Sequence, residues 1–333
     1  MTTTTKFTPR PLKRVARCIS TATLEFYIPR EESGPSEERL ALRRLLQYGC
    51  TRCLTPAQQQ LTRLRYTDGL TVTAIAEQMG LAPESSHHEK GPGQNEIVFK
   101  YHDALETADN LITFKSVVNT AANRNGLHAS FMPKPMLDKS GSGLHVHISL
   151  HKNGQNIFKN EKNLHSPDAE GFIQGILDRI EEMTAFLNPL VNSYKRLVPG
   201  YEAPIYIAWS ATNRSPLIRI PVTRGAGTRV ELRCPDPAAN PYLVLAVCLE
   251  AGLDGIRNQI TPPDAVTENV FEMQLQQRAK LGIESLPGDL EQAVEELEKD
   301  DYIKNVLGGH ITEKYLEAKR AEWADYRAQV TEW

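Results

Sequence analysis

Hydrophobic residues recur at helical spacing in five segments along the second part of the chain. These segments are 105–125, 168–187, 238–257, 288–299 and 311–328. Each has the apolar stripe that a helix buries against a core. Short stretches between them alternate apolar and polar residues, which is typical of strands buried on one face. The pattern therefore predicts an α+β fold, in which helices surround an antiparallel sheet with polar residues along one face.

The first 83 residues follow a different pattern. Residues 1–35 contain a threonine run, several prolines and a charged, turn-rich stretch, so we expect disorder there. Apolar spacing predicts helices over 36–49, 55–66 and 71–79, and a threonine hydroxyl caps each of the last two. We therefore divide the chain into a small all-α segment, residues 1–83, and a larger α+β domain, residues 84–333.

The stretch LTPAQQQLTRLRYTDGLTVTAIAEQMGL resembles the helix-turn-helix of sigma-factor region four. In such motifs a following helix enters the major groove and reads the bases. Here the chain continues as Ala82-Pro83-Glu84, and then as a Gly-Pro-Gly turn that cannot extend a helix. We therefore interpret this segment as a remnant without its reading helix, and DNA is not an expected partner.

Two strands carry polar side chains on one face. In GSGLHVHISL the polar face holds His145, His147 and Ser149, and the opposite face is apolar. In RVELR the polar face holds Arg229, Glu231 and Arg233. The first pattern predicts a strand that lines a cleft. The second fits the same arrangement, but an exposed strand with a ladder of charges stays open as an alternative.

An acidic turn supplies candidate metal ligands. A Gly-Pro-Gly turn separates Glu89 from Glu96 and allows the chain to fold back on itself. Two carboxylates that converge on a cleft need a cation or a proton between them. Oxygen ligands with an added imidazole favour Mg²⁺ or Mn²⁺. Four arginines follow along the chain, and with a divalent cation they suit the stabilisation of phosphate oxygens: Arg196, Arg214, Arg219 and Arg233.

Composition narrows the functional classes. Hydrophobic residues make up 40% and charged residues 24% of the 333 residues, as in soluble globular proteins. No apolar run is long enough to span a bilayer and no secretory signal is evident, so we expect a cytoplasmic protein with no membrane partner. Residues 1–84 contain 12 Lys and Arg against 8 Asp and Glu, a net +4 within an overall −3. The five scattered cysteines do not indicate a disulfide framework.

Four long motifs resemble bacterial type I glutamine synthetase. They are SSHHEKGPGQNEI, FMPKPMLDKSGSGLHVHISL, NSYKRLVPGYEAPIYIAWSATNRSPLIRIP and RVELRCPDPAANPYLVLAVCLEAGLDGI. The likeness runs nearly without a break from about Glu84 to Trp333. It implies that the sheet lines the active site of a ligase that condenses glutamate and ammonia, using ATP, through a γ-glutamyl phosphate.

The resemblance also implies a role for individual residues. The implied metal ligands, for Mg²⁺ or Mn²⁺, are Glu89, Glu96, His145 and Glu231. The implied ATP contacts are Glu84, His147, Ser149, Arg214 and Arg219. The implied glutamate contacts are Gly141, Arg196, Glu202 and Arg233. Glu202 and Arg214 would act in catalysis, with Glu202 on a flap that shields the phosphorylated intermediate from water.

The chain also departs from this family. An N-terminal β-grasp domain and an early strand with a Glu-x-Glu ligand pair are not evident, and we interpret Thr23-Leu24-Glu25-Phe26-Tyr27 as a chance similarity. Ser140 stands where the family has asparagine, and we expect the family pattern to continue a few residues past Trp333. We therefore expect weak or absent synthetase activity and impaired assembly into the family's dodecamer. A gene fusion or assembly artefact explains both incomplete halves, and a regulator built on an inactive synthetase domain is the alternative.

Overall fold

The structure is a computed structural model. It describes residues 17–27, 83–124, 126–160, 162, 165–199, 203–223, 225–299 and 301–331. For residues 17–27 and 83–87 it describes only the course and pairing of the backbone. The helix-turn-helix remnant lies outside the described residues. So does the segment 1–35, for which we predict disorder, except for residues 17–27.

Nine strands of the described residues belong to one sheet. Their bounds are β1 Arg17–Tyr27, β2 Pro83–His88, β3 Gln94–Phe99, β4 His102–Asp103, β5 Leu144–Lys152, β6 Gln155–Asn156, β7 Trp209–Ser210, β8 Ile218–Arg219 and β9 Val230–Leu232. The order across the sheet is β2-β3-β1-β5-β9-β8-β7, with β4 paired to β1 and β6 paired to β5. The β7–β8 pair is parallel and the other pairs are antiparallel.

Eight α-helices accompany this sheet in the described residues. They are α1 Ala104–Arg124, α2 Pro167–Leu187, α3 Val191–Arg196, α4 Pro241–Arg257, α5 Leu275–Lys280, α6 Leu290–Lys299, α7 Tyr302–Leu307 and α8 Gly309–Arg327. The five helices predicted from apolar spacing correspond to α1, α2, α4, α6 and α8. The three short helices were not predicted, because a helix of six residues is too short to show a period. The α+β prediction is confirmed.

The core lies between the apolar face of β5 and the long helices α2 and α4. Leu144, Val146, Ile148 and Leu150 are at most 3% exposed, and they share one buried cluster with residues of α2 and α4. The two helices approach closely because glycines face each other, and a Cβ atom added at Gly175 would lie 2.1 Å from the carbonyl oxygen of Ala251. The packed helices hold β5 from behind and leave its polar face for the site.

Strand β1 corrects one sequence interpretation. Residues 23–27 are not a chance similarity, because they belong to β1, which pairs with β3 on one side and with β5 on the other. The sheet predicted for residues 84–333 therefore contains a strand from much earlier in the chain. The domain boundary between residues 83 and 84 stays a prediction. Strands of one sheet lie on both sides of it.

Candidate active site

The polar face of β5 forms the centre of the site. His147 and Ser149 are each 8% exposed, and His145 is half-buried. The predicted division of this strand into a polar and an apolar face is confirmed, since the alternate residues Leu144, Val146, Ile148 and Leu150 all belong to the core. The strand is therefore buried on its apolar face and presents imidazole and hydroxyl groups on the other.

Backbone register extends this polar face across the sheet. Residues directly opposite each other in an antiparallel pair share a face. Glu96 of β3 is opposite Glu25 of β1. Thr23, two residues before Glu25 in β1, is opposite His145 of β5. Next along β5, His147 is opposite Glu231 of β9. These positions therefore share one face of the sheet, which extends from the acidic strand β3 to the charged strand β9.

Glu231 joins the charged groups at the β9 end of this row. It is 3% exposed, and its Oε2 accepts a hydrogen bond from Arg219 Nε at 2.5 Å. Its Oε1 lies 3.5 Å from Arg233 Nε and 3.6 Å from His145 Nδ1. An exposed ladder of charges, the alternative for RVELR, is therefore wrong, because the central carboxylate is buried among its partners.

His147 is held by Arg229, a residue to which the sequence analysis assigned no role. Arg229 Nε donates a hydrogen bond to His147 Nδ1 at 3.2 Å. An imidazole that accepts at Nδ1 carries its proton at Nε2, so this bond selects the tautomer. Burial lowers the pKa of His147 to about 4, and Arg229 acts in the same direction while Glu231 opposes it. The ring is therefore neutral near pH 7 and offers an N–H donor.

His145 is also held neutral by its surroundings. Burial is the main cause that lowers its pKa well below the usual value, and the charges of Arg233 and Arg196 add to it. A neutral imidazole beside a carboxylate is the form in which histidine binds a metal ion. His145 and Glu231 therefore form a pair of donors with the chemistry that a divalent cation requires.

A glycine loop over residues 141–143 packs against Arg196 at the end of α3. Arg196 is 4% exposed, and its guanidinium donates to the carbonyl oxygens of Cys234, at 2.7 Å, and Arg233, at 3.3 Å. A Cβ atom at Gly141 would lie 2.8 Å from Arg196 Cγ, and one at Gly143 would lie 2.7 Å from Arg196 Nη2. Larger residues at these two positions would displace the arginine, so the loop needs glycine here.

The predicted metal ligands are brought together only in part. His145 and Glu231 lie side by side, whereas Glu89 is in the turn after β2 and Glu96 is in β3. No group of three or more His, Cys, Asp and Glu side chains within the described ranges is arranged to hold an ion. Glu25 is in register with Glu96, but its side chain is outside the described part. The convergence of all four ligands stays a prediction.

The other predicted residues fall into two sets. Arg219 and Arg233 surround Glu231, and Arg233 also donates from Nη1 to the backbone carbonyl of Arg214. The Arg214 side chain is exposed on the loop between β7 and β8. Glu84 is in β2 with its side chain outside the described part, and Glu202 lies wholly outside it.

Arg229 and Glu25 were not predicted from the sequence as site residues, for different reasons. Alternation places Arg229 on the polar face of its strand. Only the pairing register of β9 with β5 was needed to predict its bond to His147. Alternation of β-branched residues in Ile19, Thr21 and Thr23 was a signal for β1. The strand carries one glutamate, whereas the family resemblance implies a Glu-x-Glu pair, so the motif itself did not identify this strand.

No helix in the part of the chain that the structure describes is long and apolar enough to cross a lipid bilayer.

Comparison with known proteins links this geometry to one family. The sequence model described as glutamine synthetase, catalytic domain, matches residues 16–333. This range begins just before β1 and includes the segment predicted as a helix-turn-helix remnant, so the sigma-factor resemblance gains no support from it.

Relatives agree with that match. Glutamine synthetase of Clostridium saccharobutylicum is 56% identical over 264 residues, which is 79% of this chain and 60% of the relative. Glutamine synthetase of Methanosarcina mazei is 52% identical over 259 residues, which is 77% of this chain and 58% of the relative. The chain therefore spans about three fifths of the length of the curated relatives it matches. A solved structure of a GmaS–ADP complex superposes on this chain with a TM-score of 0.76 at 32% identity. The superposition covers 96% of this chain and 72% of the GmaS chain.

Changing Glu231 to Gln tests the role of this carboxylate among the arginines. In the absence of divalent cations we expect the free energy of unfolding to fall by about 3 kcal/mol, because the variant leaves buried guanidinium groups without their counter-charge. Urea denaturation of the full chain with EDTA measures it.

Glu250→Gln is the matched control, since Glu250 pairs with Arg257 at 2.5 Å through side chains that are 39% and 57% exposed. That change should cost less than about 1 kcal/mol. Equal losses in the two variants would contradict the role assigned to Glu231.

Proposed function

Because the chain belongs to the glutamine synthetase catalytic-domain family, we propose that it is a ligase that joins glutamate and ammonia with ATP through γ-glutamyl phosphate. The observation that carries this proposal is the buried carboxylate Glu231 among Arg219, Arg233 and His145 on one sheet face. Several guanidinium groups around a single carboxylate and imidazole suit a site that receives phosphate oxygens and a cation together. The sequence match covers the strands that build this face.

The cation in this proposal is Mg²⁺ or Mn²⁺. His145 and Glu231 would hold one ion, and Glu89 and Glu96 a second, with Glu25 added because its register position is opposite Glu96. Such an ion neutralises charge on the transferring phosphoryl group. Glu231 accepts a hydrogen bond from Arg219 and forms an ion pair with Arg233, so these two guanidinium groups compete with the ion for one carboxylate.

Nucleotide and amino-acid groups would bind on the two sides of that carboxylate. We assign ATP to His147, Ser149, Arg214 and Arg219, together with Glu84, and add Arg229 because it orients the His147 ring. We assign glutamate to Gly141, Arg196 and Arg233, together with Glu202. In the present structure the Arg196 guanidinium donates to two backbone carbonyls, so it is fixed in place before any substrate arrives. ATP, glutamate and ammonia are thus the proposed small-molecule partners.

Glu202 would act with Arg214 in catalysis by closing over the phosphorylated intermediate and by stabilising developing charge. An acyl phosphate reacts with water, so excluding water from this point matters as much as the positive charge around it. A cytoplasmic location is part of the same proposal, and DNA has no place in it.

Formation of γ-glutamyl hydroxamate tests this function. With glutamine, hydroxylamine, ADP, arsenate and Mn²⁺, we expect turnover that EDTA abolishes and that Glu231→Gln lowers at least about 100-fold. The rate should lie below that of a relative such as the Clostridium saccharobutylicum enzyme, because strand β1 carries one glutamate.

A matched control for that assay is Glu250→Gln, a change in an exposed ion pair, which should leave turnover unchanged. Absence of any Mn²⁺-dependent product in the unaltered chain would contradict the proposed activity. Turnover equal to that of the relative would contradict the weakened cation site.

Changing Thr23 to Glu tests the weakened cation site directly. Thr23 is opposite His145 in the register, so a glutamate there adds a carboxylate beside His145 on the face that already holds Glu231. We expect the dissociation constant for Mn²⁺, measured by titration calorimetry, to fall about tenfold, since each added carboxylate strengthens binding of a hard cation. Thr23→Gln, which has the same size without the charge, should leave it unchanged. An equal effect of both variants would contradict the register argument.

A further inference from the structure

Gln94 shapes the acidic turn between β2 and β3. It is the first residue of β3 and is 2% exposed. Its backbone closes the turn, because Gln94 N donates to Gly91 O and Glu89 N donates to Gln94 O, each at 3.0 Å. Its side chain adds a third bond, in which Oε1 accepts from Gly91 N at 3.0 Å. The turn that carries Glu89 is therefore fixed by this one residue through both its backbone and its amide.

The same amide reaches a second segment, 47 residues further along the chain. Gln94 Nε2 donates to Gly141 O at 3.0 Å and approaches Ser142 Oγ at 3.4 Å. The glycine loop 141–143 leads directly into β5 and packs on Arg196. Gln94 therefore connects the turn assigned to the cation with the loop assigned to glutamate.

We propose that Gln94 is a positioning residue. It fixes the distance between the glycine loop and the acidic turn, so that the cation and glutamate bind at a constant distance from each other. This inference rests on the proposed function. An amide suits the role because Gly91 offers an N–H donor while Gly141 offers a carbonyl acceptor. Glutamine satisfies both, whereas a carboxylate accepts but does not donate. The glycines have no side chains of their own to hold the loop in place.

Gln94→Glu is the informative variant. It keeps an acceptor for Gly91 N–H, removes the donor to Gly141 and sets a carboxylate oxygen against the Gly141 carbonyl. We expect the dissociation constant for L-glutamate, measured by calorimetry on the full chain with Mn²⁺ and ADP, to rise about tenfold or more, as loss of a buried hydrogen bond predicts. Because Gln94→Glu keeps the bond to Gly91, its dissociation constant for Mn²⁺ should change less than about threefold. The neutral variant Gln94→Met should weaken glutamate similarly, which excludes an effect of added charge.

A control elsewhere in the chain separates this role from general loosening. Asn156→Asp makes the same amide-to-acid change at a buried site outside the loop. Asn156 donates to Ala226 O at 2.9 Å and to Thr228 O at 2.7 Å, and it accepts from Phe158 N. It should lower the thermal midpoint as much as Gln94→Glu does, without weakening glutamate.

Hydrogen–deuterium exchange without ligands gives a second readout. In Gln94→Glu the amides of residues 141–144 should exchange about tenfold faster, with no change in α2. Unchanged exchange and unchanged glutamate affinity would overturn the inference, as would parallel losses of Mn²⁺ and glutamate affinity. If the unaltered chain binds Mn²⁺ but no glutamate, the proposed function fails. Faster exchange over 141–144 would then still identify Gln94 as the residue that holds this loop.

Discussion

Backbone register across β3, β1, β5 and β9 determines which side chains of this molecule meet. A shift of one residue in any of these pairs would send the polar set of a strand into the core and its apolar set into the cleft. The register is held from behind, because the apolar residues of β5 are buried in the same cluster as those of α2 and α4. The positions of the side chains on the polar face therefore depend on this packing.

Charge balance is the second constraint on the site. Glu231 is surrounded by Arg219 and Arg233, with His145 at 3.6 Å, and burial keeps the neighbouring imidazoles neutral. Such a cluster has an excess of positive charge, which suits a nucleotide and an amino-acid carboxylate as ligands. Arg219 is held by this carboxylate, and Arg233, Arg196 and Arg229 donate to backbone carbonyls, so much of their orientation is fixed before substrates bind.

The sequence predicted which side chains share a face of a strand better than it predicted which strands pair with each other. Alternation in LHVHISL and VEL is a local property, so the sequence pattern alone places His145, His147 and Glu231 on polar faces. Strand β1 shows the same kind of local alternation, but its place in the sheet could not be predicted, because its partners β3 and β5 lie more than 60 residues further along the chain. The bond from Arg229 to His147 and the two-sided contacts of Gln94 also depend on tertiary register, which no local pattern encodes.

Binding of a divalent cation between His145 and Glu231, on the polar face of the sheet, is the central claim. Crystals of the full chain grown with Mn²⁺, measured at a wavelength where manganese scatters anomalously, test it most directly. We expect an anomalous peak about 2.2 Å from one nitrogen of His145 and one oxygen of Glu231, as Mn²⁺–ligand bonds require. Peaks only elsewhere, with Glu231 still bonded to Arg219 and no ion beside His145, would contradict it.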